Sequence, residues 1–163
     1  MSDKRPWKHR VLLCVGSIGP LGHLPASGSV TVAVVGVPLF WVLADCPPYM
    51  YIVLVVVLTL ASITVHELGD RILGENDSRQ LVWDELVGYF IAVALVPFTW
   101  RTALLAYVVE RVIDIVKVPP ARWLDRHVHN GVGAVGDDVV AGLYTCALLH
   151  ALLYIRPDWL GVQ

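Results

Sequence analysis

Five carboxylates stand where apolar sequence begins or ends. Asp84 and Glu85 precede the uncharged run 86–100, Asp137 and Asp138 precede the run 139–155, and Asp114 interrupts an apolar stretch that starts at Thr102. An ionised carboxylate next to hydrocarbon costs at least about 2.5 kcal/mol unless it is paired or bound to a cation. Five of them converging on one face call for compensation, which a divalent metal supplies. Hard oxygen donors, with no thiolate partners and no fixed histidine pattern, suit Mg²⁺ or Mn²⁺ rather than Zn²⁺. Taken singly, each acid also fits an interfacial charge or a helix cap. Arg111, Asp114 and Lys117 are spaced by three, so one helical face carries all three. That face reads either as a closed salt-bridge network or as a phosphate clamp, in which arginine offers a planar fork and lysine a point charge.

The elements that must position these groups are apolar. Mean hydropathy is +0.65. Charged residues make up 16% of the 163-residue chain, well under the roughly 25% of an ordinary soluble protein. The length suits one domain, 1–163, with all chemistry in one core. Uncharged runs cover 30–44, 46–65, 86–100, 102–109 (continuing with interruptions to Val116) and 139–155. The second is long enough to span hydrocarbon, and the shorter ones require tilting, bilayer thinning or shielding in a compact bundle. Backbone in lipid must pair internally, and the runs lack the alternation of barrel strands. The expected fold class is therefore all-α, a compact helical membrane bundle of four to five hydrophobic helices with short loops.

Charge placement orients that bundle. With the basic N-terminus inside, five crossings put Lys4, Arg5, Lys8, Arg10, Arg71, Arg79, Arg111, Lys117, Arg122 and Arg126 on or near the inner face and leave Arg101 and Arg156 outside. The carboxylates fall on the same inner face. The N-terminus imitates a secretion signal, but Gly16, Gly19, Pro20 and Gly22 break its apolar stretch, so cleavage is not expected. The basic residues follow topology, and no nucleic-acid-binding motif accompanies them. Trp and Tyr residues are expected to anchor helices at the interface.

Competing motifs fail on particular residues. His66-Glu67 opens like a zinc-protease H-E-x-x-H, but its fifth position is Asp70. His127 and His129 read as solvated loop residues, and Cys14, Cys46 and Cys146 have no ligand spacing.

Three segments, in order, resemble the phosphatidylglycerophosphatase A family. Residues 77–88, DSRQLVWDELVG, are similar to its D-x-x-x-x-V-x-D-E-x-x-G signature. Arg111-Val-Ile-Asp-Ile-Val-Lys117, with Pro120 and Arg122 to Asp125 following, resembles its R-x-x-D-I-x-K-P-x-P segment. Residues 131–142, GVGAVGDDVVAG, resemble its G-x-G-x-x-x-D-D-x-x-A-G segment. A fourth, Gly-rich motif is altered: Leu24-Pro-Ala-Ser-Gly-Ser-Val-Thr31 carries Ser27 where the family usually has Pro. Val118 replaces the Pro expected after Lys117, and Glu110 and Asn130 stand where an aromatic residue and a Gly are common.

The resemblance implies Mg²⁺-dependent hydrolysis of phosphatidylglycerophosphate to phosphatidylglycerol and phosphate, at the cytoplasmic face of a bacterial inner membrane. Under it, Asp84, Glu85, Asp137 and Asp138 hold the metal, with Asp114 as a further ligand or general base. Lys117 and Arg111 bind the phosphate, and Gly28 and Ser29 offer backbone N–H groups to it unless that segment is only a turn. The implied partners are a phospholipid substrate and the bilayer, with no nucleic acid. Alternatives are a phosphatase of another lipid or prenyl phosphate, or a non-enzymatic helical membrane protein with a vestigial metal site.

Overall fold

The computed structural model describes residues 5–162; Lys4 and the side chain of Asp125 lie outside the described part. The described residues form helices and turns, with no strand among them. Helix α1 spans Trp7–Gly16. A 3₁₀ turn at Leu21–His23 leads to α2 (Ser27–Thr31), which continues through a π-type segment, Val32–Gly36, into α3 (Val37–Leu43). Then come α4 (Pro48–Leu73), α5 (Trp83–Ala92), α6 (Trp100–Val116), α7 (Ala121–His127), α8 (Gly131–Ile155) and the short α9 (Pro157–Leu160).

Two helices among the described residues, α4 and α8, are long and apolar enough to cross a membrane. Helix α4 starts with Pro48 in its first turn, where a missing N–H costs nothing, and stops at Gly74 in the left-handed region at φ 72°. Helix α8 is opened by Asn130, whose side chain accepts from the N–H groups of Val132 and Gly133 at 3.0 and 3.2 Å. Thr99 does the same for α6, accepting from Thr102 N–H at 2.9 Å.

The apolar run 86–100 is only half helical. Helix α5 ends at Ala92, and the chain turns through Leu95 at a positive φ of 59° before Pro97. Proline disfavours helical backbone at the residue before it and brings no N–H of its own, so an uncharged composition does not guarantee a continuous helix here. At about 1.5 Å per residue, ten residues make α5 roughly 15 Å long, too short to cross hydrocarbon alone. Instead it is the central element, packing most extensively against α8 and also against α2, α4 and α6. Val87, Gly88, Tyr89, Phe90 and Ala92 are all buried.

Close approach of α5 to α8 and α6 depends on Gly88. A Cβ there would meet Glu110 Oε1 at 2.8 Å and the Asp138 carbonyl oxygen at 3.0 Å. At one end of this packing lies an apolar core of Phe40, Tyr89, Phe90, Val93, Ala103 and Leu149, with Phe40 edge-on to Phe98 at 5.1 Å. Tyr51 joins α4 to α5 by donating to the Phe90 carbonyl at 2.8 Å. The other end is polar.

Candidate active site

Five chain segments end at the polar pole of the bundle. They are the start of α2, the end of α4 with its following loop, the start of α5, the end of α6 and the first turns of α8. All but α4 itself line a cavity of about 750 Å³, the loop after α4 contributing Asp77, Ser78 and Arg79. Its walls include all nine residues singled out from the sequence: Gly28, Ser29, Asp84, Glu85, Arg111, Asp114, Lys117, Asp137 and Asp138. They come from positions more than a hundred residues apart.

Local bonds hold these segments in place. Val82 N–H donates to the Gly16 carbonyl at 3.1 Å, and the Trp83 indole donates to the Val15 carbonyl at 2.9 Å, so the end of α1 fixes where α5 begins. Buried Asp70 on α4 accepts from the N–H groups of Asp77 and Ser78 at 2.9 and 3.0 Å, shaping the loop that carries Asp77 to the cavity. Ser27 Oγ donates to the Arg79 carbonyl at 2.7 Å and ties the start of α2 to the same loop. Glu67 accepts from Gly131 N–H at 2.9 Å and pins the start of α8 to α4. Gly28 and Ser29 lie in the first turn of a helix rather than in a loop, and a Cβ at Gly28 would overlap the Glu85 carboxylate. The first N–H groups of a helix have no intrahelical acceptor, so this turn faces the cavity with donors.

The acids and bases of the site divide into two groups. On one side Lys117, at the left-handed C-cap of α6, places Nζ 2.9 Å from Asp137 Oδ2. Arg111 donates from Nη2 to Asp138 Oδ1 at 3.0 Å, and its Nη1 lies 3.5 Å from Asp114 Oδ2. Arg111 also makes a two-pronged pair with Glu110, 2.7 Å at both contacts. On the other side are Asp84, Glu85, His66 and Asp77. His66 Nε2 is 3.3 Å from Asp84 Oδ1, in an orientation that makes no hydrogen bond.

His66, Asp77 and Asp84 each place one ligand atom within 4.8 Å of the other two, a geometry that fits a bound metal ion. Both ring nitrogens of His66, Asp84 Oδ1 and Glu85 Oε2 are buried without a hydrogen-bond partner. A buried polar atom left unpaired costs about 1–3 kcal/mol. His66 Nε2 and Asp84 Oδ1 lie 3.3 Å apart, and a cation held by them and Asp77 would satisfy both. Partial desolvation of the Asp77 carboxyl at the cavity wall, with Asp137 nearby, raises its pKa above the usual carboxylate range. A positive charge in the site would relieve the same repulsion.

Sequence reasoning passed over three of these residues. His66 lacks the zinc-protease pattern, which breaks at Asp70, yet it is fully buried next to Asp84. Asp77 stands first in the acidic signature without having been given a role. Glu110 was noted only as a departure from an aromatic position. A polar residue within or at the end of an apolar run is the signal that His66 and Glu110 share, and helical spacing relates His66 to Asp70 and Glu110 to Asp114; Asp77 lies in the polar loop 74–80 and carries no such signal.

Residues 14–153 match the family model described as phosphatidylglycerophosphatase A. The chain is 32% identical to phosphatidylglycerophosphatase A of Escherichia coli over 126 residues, covering 76% of this chain and 72% of that protein. It is 39% identical to the protein of that name in Haemophilus influenzae over 83 residues, 50% of this chain and 51% of the other. A candidate phosphatidylinositol-3-phosphatase of Bacteroides thetaiotaomicron is 34% identical over 105 residues, 63% of this chain and 65% of that one. No solved structure matches the chain.

Proposed function

The chain belongs to the phosphatidylglycerophosphatase A family, and we propose from this premise that it hydrolyses phosphatidylglycerophosphate to phosphatidylglycerol and inorganic phosphate. It is a phosphoric monoester hydrolase. The observation that carries the reading is the shared cavity, where a group of acids, with His66 buried behind Asp84, faces two basic side chains, Lys117 and Arg111. A phosphate monoester needs both kinds of partner.

The residues proposed to hold the metal are Asp84, Glu85, Asp137 and Asp138, with His66 and Asp77 completing the set on the Asp84 side. A carboxylate-dominated set fits Mg²⁺, and one imidazole also suits Mn²⁺. When bound, the ion polarises the phosphoryl oxygen and lowers the pKa of a coordinated water. Lys117 and Arg111 neutralise the phosphate dianion and orient it for in-line attack. In this reading Asp114, at the cavity wall, accepts the proton of the attacking water. The new P–O bond forms from that water oxygen as the bond to the glycerol oxygen breaks, and the proton held by Asp114 passes to that departing oxygen. The first turn of α2, at Gly28 and Ser29, adds N–H donors to the phosphate oxygens.

Membrane placement follows the same logic. Helices α4, α6 and α8 turn apolar side chains outward, among them Ile52, Val56, Leu60, Leu104, Val108, Leu143 and Leu148. Buried polar residues such as Ser62, Thr102 and Thr145 face inward. This inversion suits lipid. We read the continuous α2–α3 helix together with α4, α6 and α8 as the crossing elements of a single-domain, multi-pass protein of the bacterial inner membrane. Helix α5 enters from the cytoplasmic face, the non-helical segment 93–99 completes this fifth crossing to the start of α6, and the cavity opens on the cytoplasmic face.

The test is phosphate release by purified, folded protein from phosphatidylglycerophosphate, phosphatidylinositol 3-phosphate, phosphatidate and a prenyl phosphate. Preference for the first with added Mg²⁺ is the expected result. Preference for another lipid reassigns the headgroup, and no release from any of them leaves a vestigial site. The Asp84→Asn and Asp138→Asn variants should each fall to background, and full activity in both would remove the proposed metal ligands.

A further inference from the structure

Glu110 does not line the cavity, and it is completely buried. A carboxylate in such a place needs full compensation, and it has it: Glu110 Oε2 accepts from Arg111 Nε and Oε1 from Arg111 Nη2, both at 2.7 Å. These two donors form the edge of the guanidinium that would otherwise grip a phosphate in two-pronged fashion. The same Nη2 also reaches Asp138 at 3.0 Å. What remains directed toward Asp114 and the cavity is Nη1.

We propose that Glu110 is a positioning residue that occupies the fork of Arg111, so that Arg111 meets the phosphate through Nη1 alone and with its charge largely offset. The proposal deepens the phosphatase reading and rests on it for the identity of the anion. Its consequence concerns product. A free fork beside Lys117 would hold inorganic phosphate tightly after the lipid alcohol leaves; a fork already filled lets phosphate go. Glu110 is therefore a determinant of phosphate affinity that never touches phosphate. Gly88 supports the arrangement, because only a residue without Cβ leaves room for Glu110 Oε1 at that point of α5.

The experiment is calorimetric titration of inorganic phosphate into the purified full chain in detergent with saturating Mg²⁺, without lipid substrate, so that it stands even if no lipid proves to be turned over. Glu110→Gln keeps the shape and removes the charge. It should bind phosphate about tenfold more tightly than wild type, the effect of exposing a charge-assisted fork. In the turnover assay the same variant should show a lower kcat and stronger product inhibition. Glu110→Asp, which retains the charge, should stay within about twofold of wild type in phosphate affinity. Unchanged or weaker phosphate binding by folded Glu110→Gln overturns the proposal, because simple damage to the site cannot raise affinity. Should that variant fail to fold, the wild-type chain decides: the Arg111 Nε–H resonance, assigned with nitrogen-15-labelled arginine, should hold its position as phosphate saturates. A large shift would mean that phosphate takes the fork, and the proposal would fall.

Discussion

At the residue scale, His66 and Asp84 share a buried volume with nothing between them to hydrogen-bond to either. In an apolar interior such a pair survives when a third partner satisfies both. The proposed partner is the divalent ion, and His66→Ala should weaken Mn²⁺ or Mg²⁺ binding by about tenfold or more, measured by titration of chelator-treated protein. Chelator treatment of the wild-type chain should likewise lower its melting temperature and abolish phosphate release, with recovery on adding Mg²⁺ back. Lys117 gives a complementary expectation. Its Nζ rests on Asp137, so Lys117→Ala removes the proposed phosphate contact and also unpairs a buried acid. The expected outcome is a fall in kcat/KM of about 100-fold, with part of it in KM, and only partial recovery in Lys117→Arg.

At the element scale, the decisive feature is how closely α5 lies against its neighbours. Gly88 meets the Asp138 backbone on α8, and a Cβ at Gly142 would overlap the Gly88 carbonyl. These contacts place the first turn of α5, with Asp84 and Glu85, beside Asp137 and Asp138 in the second and third turns of α8. Gly88→Ala is expected to destabilise the protein by about 1–3 kcal/mol, since neither the Asp138 backbone nor the paired Glu110 has room to move. Thermal unfolding in detergent measures this. Activity should fall further than stability, because separating the helices spreads the acids. The acid signature itself was readable along the chain, since Asp84-Glu85 and Asp137-Asp138 mark where apolar sequence begins. The end of α5 at Ala92 was not. Composition across 86–100 is uniformly uncharged, and the turn before Pro97 expresses a backbone preference that an average over hydropathy cannot register.

At the scale of the whole molecule, polarity runs along the bundle. One pole is the aromatic and aliphatic core around Phe40, Tyr89 and Phe90; the other is the acidic cavity. Placed in a bilayer as proposed, Asp45 between α3 and α4 lies outside and Arg122 in α7 lies inside. Single-cysteine variants at these two positions, in a chain whose Cys14, Cys46 and Cys146 have been replaced, should differ in intact spheroplasts. Asp45→Cys should react with an impermeant maleimide and Arg122→Cys only after permeabilisation. Reaction of both from outside would reverse or dissolve the proposed topology.

By itself, the order of residues determined the helical class, the family, and which acidic and basic side chains sit at the margins of apolar runs. Those properties are written in local composition and short spacing, which need no knowledge of how helices meet. Only the tertiary structure decided that His66 lies against Asp84, that Lys117 and Arg111 already hold Asp137 and Asp138, and that Glu110 fills the Arg111 fork. The physical reason is that a buried charge takes its meaning from its partner. Glu110 and Arg111 are neighbours on α6, but the other partners come from different helices, brought within about 3 Å by the packing of glycine-bearing surfaces.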